Sequence, residues 1–102
     1  MNPADLGKLE GYVAYLDKKA VEEEKGGQFV DAIATNFKLV DVLLVLAEAT
    51  TDYPKWLKCT NSASNHQKKI KSLIALASLK QKEEAEQQFP KNAEPQKLLT
   101  TQ

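Results

Sequence analysis

The chain has 102 residues, with fourteen acidic and fourteen basic side chains, so its formal net charge is zero. That is one domain's length, and 42% hydrophobic with 27% charged residues is an ordinary globular balance. One cysteine and one histidine exclude an intrachain disulfide framework and a Cys-cluster zinc site, and argue against a histidine-based metal centre.

The first predicted element is a helix from about Pro3 to Glu24. Asn2 suits its N-cap, Pro3 its first position and Asp5 its first turn. Leu6, Leu9, Val13, Leu16 and Ala20 alternate at spacings of three and four, the stripe of a bundle seam. Gly7 and Gly11 each lower helix propensity by about 1 kcal/mol, and such positions are expected to admit another helix closely. Lys25-Gly26-Gly27 marks the C-cap.

A second helix is expected from about Gln28 to Ala49. Phe29, Ile33, Phe37, Val40, Leu44 and Ala47 are taken as its main face. The opposite face begins polar, at Asp31, Thr35 and Lys38, and turns apolar at Val42 and Val45. A helix that is apolar nearly all round is buried on more than one side, so this is the expected central helix.

Thr50 to Pro54 reads as a break. Pro54 to about Lys58 reads as one short helical turn, anchored by Trp56 and Leu57. Thr60 to Ser64 reads as a polar loop, with Ser64 and Gln67 forming a capping box. The third long helix is then expected from about Asn65 to Gln88. Ile70, Leu73, Ile74 and Ala77 form its stripe, while Leu76 and Leu79 point elsewhere. After Leu79 the sequence is polar and should project past the core. Pro90 to Gln102 has two prolines and little apolar content, and is expected to be a disordered tail. The predicted fold is therefore all-α: an antiparallel bundle of three long helices plus one short helical turn over residues 1–89, with residues 90–102 as the tail.

All the basic residues are lysine. Arginine is the side chain best fitted to phosphate and guanine, so with no net charge a nucleic-acid partner is not expected. The start Met1-Asn2-Pro3-Ala4-Asp5 has no basic stretch followed by an apolar one, which predicts a cytoplasmic protein. The longest apolar run, Leu39 to Ala47, is interrupted by Asp41 and is far short of the roughly 20 residues that span a bilayer, so no membrane insertion is expected.

Phosphate loops, nucleophile elbows, zinc-protease helices and calcium loops are missing from the sequence. The glutamates cluster at Glu22-Glu23-Glu24 and Glu83-Glu84-Glu86, where solvated helix explains them. Cys59, His66 and Asp52 have no spacing that makes a catalytic set. The reading is a non-enzymatic protein with no cofactor, metal or catalytic residue.

Val42, Val45, Leu76 and Leu79 are left needing cover once three helices have packed. They are the predicted interface, for a second copy in a homodimer or for a helical protein partner, in an adaptor or structural role. The alternative centres on His66. The segment His66-Gln67-Lys68-Lys69-Ile70-Lys71-Ser72 resembles the phosphoacceptor motif of histidine phosphotransfer domains. His66, Lys69 and Ser72 match it, while Ile70 stands where that family carries glycine. The resemblance implies a signalling role with His66 as phosphoacceptor. Tyr15-Leu16, Phe37-Lys38-Leu39, Leu43-Leu44-Val45 and Ala47 also resemble the helical N-terminal domain of cyclase-associated, actin-regulating proteins.

Overall fold

A computed structural model describes residues 2–88; the expected tail over 90–102 lies outside them. The described chain is three helices in sequence: α1 (Pro3–Lys25), α2 (Phe29–Ala49) and α3 (Tyr53–Gln88). Both α1 and α3 pack mainly on α2, and side chains bridge α1 to α3 at Asp17–His66 and Glu24–Lys69.

The start of α1 follows from its sequence. The Asn2 side chain accepts the Asp5 N–H at 2.9 Å, satisfying one of the donors that a helix N-terminus leaves unpaired. Its end is a paired closure. The Gln28 N–H donates to the Glu23 carbonyl at 2.8 Å and the Gly27 N–H to the Glu24 carbonyl at 3.0 Å, with Gly27 at φ 75°. That left-handed position favours glycine because a Cβ would crowd the backbone. Lys80 of α3 donates to the Gly27 carbonyl at 2.8 Å, tying α3 to the same turn.

The core has two lobes, one on each side of α2. Leu16 and Ala20 of α1 meet Leu39, with Val13 and Val42 beside them. Ala63 and Ile70 of α3 meet Val40 and Leu43, with Ile33 and again Val13 beside them. Contacts between α2 and α3 run from Gly27 against Lys80, through Asn36 against His66, to Val40 and Leu43 near Ala63.

Several expectations need correction. The short turn at Pro54–Lys58 and the loop at Thr60–Ser64 are not separate elements, because α3 is one helix from Tyr53 onward. The Asp52 carbonyl accepts the Trp56 N–H at 2.9 Å as the helix opens, and Pro54 is tolerated in that first turn. The hydroxyl of Thr60 donates back to the Leu57 carbonyl at 3.1 Å, so it does not break the helix. Ala63 is buried in the α2–α3 lobe, which supplies the tertiary support that outweighs the poor propensity of Thr60 to Ser64. With no helix start there, Ser64 caps nothing. Trp56 and Leu57 stay partly exposed, and Trp56 stacks on Tyr53 with ring centroids 5.8 Å apart.

The expected faces of α2 are also rotated. Phe37 and Leu44 are exposed, whereas Thr35 and Asn36 are buried. Ile74 of α3, expected in its core stripe, is exposed as well. Gly7 and Gly11 admit no neighbour: a Cβ at either would meet nothing within 4 Å. The polar projection of α3 is as expected, with residues 81–87 all exposed.

Two substitutions test this description by thermal or urea unfolding. Ser64→Pro, on an exposed position, should cost about 3 kcal/mol or more, the penalty of a helix interior and not of a loop. Gly7→Ala and Gly11→Ala should each raise stability by about 1 kcal/mol, because nothing opposes the added methyl.

Candidate functional site

The one histidine sits where all three helices come together. His66 on α3 points into the bundle, with 20% of its side chain exposed. Asn36 on α2 is almost fully buried, and its amide nitrogen donates to the Ala32 carbonyl at 2.7 Å. That leaves the amide oxygen to accept from His66 Nδ1, 2.7 Å away. The other ring nitrogen, Nε2, lies 3.4 Å from Asp17 Oδ1 on α1, an ion pair when the ring is protonated.

The neighbouring polar contacts run along the same seam. Thr35 donates to Glu23 at 2.6 Å, and Lys69 pairs with Glu24 at 3.3 Å. This row satisfies the polar groups that α2 buries. It is a structural arrangement first.

The geometry weighs against His66 as a phosphoacceptor. An acceptor histidine needs a ring nitrogen with a free lone pair open to in-line approach. Here one nitrogen is held by Asn36 and the other faces Asp17. Asp52 cannot orient the ring either. It precedes α3 by one residue and lies fourteen residues before His66, about 21 Å along a helix. Among the described residues no group of three or more His, Cys, Asp or Glu side chains could hold a metal ion. Nor is any described helix long and apolar enough to cross a membrane.

The four predicted interface residues do not form one face. Val42 is half-buried against the α1 lobe, while Val45, Leu76 and Leu79 are exposed. Val42 and Val45 sit in the second half of α2. Leu76 and Leu79 lie beside Lys80, at the level of the α1–α2 turn. About 20 Å of α2 separates the two pairs.

A different apolar surface runs along α2. Val30 (72% exposed), Phe37 (53%) and Leu44 (42%) recur every seven residues on α2. Two helical turns separate each from the next, so they line one side, opposite the fully buried Ala32 and Leu39. Val45 borders this stripe. At its Val30 end the stripe runs into a shallow groove of about 440 Å³, to which α3 contributes Ile74 and Ala77. The sequence pattern set Phe37 and Leu44 on the buried face, because apolar residues recur on more than one side of α2 and no single stripe stands out.

Comparison of the chain with protein-family models, curated proteins and solved structures finds no match among any of them.

Replacing His66 by alanine should destabilise the bundle by about 1–3 kcal/mol, because the buried Asn36 oxygen then loses its donor. Asp17→Asn, at a more exposed contact, should cost clearly less. Urea unfolding of both variants against the parent checks the ranking.

Proposed function

We propose that this chain is a non-enzymatic protein-interaction module that self-associates through the outer face of α2. The single observation behind this is the row Val30, Phe37 and Leu44, with Val45 beside it, exposed on the helix that otherwise forms the core, and exposed Ile74 of α3 near its Val30 end. Isolated exposed apolar residues need no explanation. A row of three on one side of the central helix, interrupted by the exposed Ala34 and Asp41, does, because exposed apolar side chains gathered on one face mark association surfaces.

The spacing favours a second copy. Val30 and Leu44 lie seven residues to either side of Phe37. A two-fold axis at Phe37 therefore sets Val30 of one copy against Leu44 of the other, twice over, as a self-complementary interface requires. The seven-residue repeat is also the period at which paired helices keep one seam in register. In this reading the protomer is an antiparallel, up-down-up bundle, consistent with the short links at residues 26–28 and 50–52 and with the Gly27–Lys80 and Asn36–His66 contacts. The homodimer serves as an adaptor or structural unit. A cytoplasmic setting suits it, since its single free thiol, Cys59, stays reduced there.

Light scattering across a dilution series tests the reading. The parent chain should shift from dimer mass to monomer mass on dilution. Phe37→Glu and Val45→Glu should be monomeric throughout at unchanged helicity, because a charge in the buried seam is costly to desolvate. A monomeric parent at all concentrations would sink the proposal.

A further inference from the structure

On the other side of α2 the two outer helices part. Asp17 and His66 lie 3.4 Å apart, and Glu24 and Lys69 lie 3.3 Å apart, so α1 and α3 are bridged along the second half of α1. Toward the start of α1 these bridges stop. A groove of about 450 Å³ opens there, with Leu6 and Val13 of α1 and Leu43 and Leu46 of α2 in its lining. It is separate from the exposed Val30–Phe37–Leu44 row, because Leu43 and Leu46 belong to the buried side of α2.

The rims carry opposite charge. On α1, Glu10, Asp17 and Glu24 recur every seven residues and so mark one edge of the helix. Two of these three are matched by His66 and Lys69 on α3. Glu10 lines the groove, and Lys55 and Lys58 line it from α3. Among the described residues none of these three has an opposite charge within pairing distance.

We propose that this groove docks one amphipathic helix of a partner protein, with basic residues along its edge toward α1 and acidic residues along its edge toward α3. The apolar lining takes the helix's apolar stripe. The two charge rows then complete the pairing that Asp17–His66 and Glu24–Lys69 begin. The α1 rim from Leu6 to Asp17 spans about 16 Å, or three turns of the incoming helix. A surface of one sign, such as a nucleic acid or an anionic bilayer, would satisfy Lys55 and Lys58 but set its own charge against Glu10. A fatty acid would pair Lys55 and Lys58 through its one carboxylate and leave Glu10 unmatched.

Three synthetic helical peptides of about fourteen residues test this. All share one leucine stripe. One has lysine on one edge and glutamate on the other, one has lysine on both, and one has glutamate on both. Affinity is read by fluorescence anisotropy of the labelled peptide. Site occupancy is read by the rate at which N-ethylmaleimide alkylates Cys59, the only thiol and part of the groove lining.

The mixed-edge peptide should bind the full chain about tenfold more tightly than either uniform peptide and should slow Cys59 alkylation at saturation. Lys55→Glu with Lys58→Glu, both at exposed positions, should transfer the preference to the all-lysine peptide. Phe37→Glu should leave binding and protection intact, which separates this groove from the self-association face. Equal binding of all three peptides, or no binding, would overturn the proposal. So would binding that leaves the alkylation rate unchanged. Protection of Cys59 that grows with protein concentration alone would replace the partner helix with a second copy. Protection by dodecanoate equal to that by the mixed-edge peptide would replace it with a simple amphiphile.

Discussion

The buried amide of Asn36 is the constraint around which the bundle is arranged. It sits on the central helix, beside buried Thr35, with only 2% exposure. An unpaired amide there would cost a large fraction of a small domain's stability. Ala32 satisfies its nitrogen and His66 its oxygen. The second bond fixes one point of α3 on α2, and the first holds the amide in the orientation that makes the second possible. The ring, once placed, presents its far nitrogen to Asp17, which adds α1. Apolar packing alone leaves helices free to slide by a turn at modest cost. A single buried polar contact penalises every other register, the best-attested use of such groups.

Much of this architecture was legible in the sequence where the signal is local. Asn2, Pro3 and Asp5 mark the start of α1, and Gly27 marks its end, because caps are formed by residues within a few positions of one another. The break at Thr50–Asp52 is local too. The mistaken loop at Thr60–Ser64 shows where this stops. Four poor helix formers surround Ala63, and only contact with Val40 and Leu43, some twenty residues earlier, makes that stretch a helix. Cys59, Ala63, His66, Ile70 and Leu73 do keep helical spacing, but small and polar side chains mask the stripe.

The same reasoning explains the rotation of α2. Thr35 and Asn36 look like surface residues because polarity is the only local evidence. Their partners, Glu23 and His66, lie 12 and 30 residues away. Moving those two residues inward turns Phe37 and Leu44 outward, so the exposed row follows from the polar seam. A spare apolar face was expected from the helical pattern, and Val45, Leu76 and Leu79 are exposed. Val42 is instead used by the α1 lobe, and Phe37 and Leu44, assigned to the buried face, join the exposed side.

The groove between α1 and α3 has a mechanical origin in the chain's connectivity. The closure at Gly26–Gln28 ties the end of α1 to α2, and Lys80 ties α3 to the same turn. At the opposite end the link over residues 50–52 ties α2 to α3, whereas the loop that joins α1 to α2 lies at the far end of α1. Its first half rests on half-buried Leu6, Leu9 and Val13 and contains both helix-weakening glycines. Opening free energies are lowest where buried contacts are fewest. The rim that would have to move to admit or grip a helix is thus weakly supported. The seam centred on Asn36 lies beyond it and can keep its register while that rim adjusts.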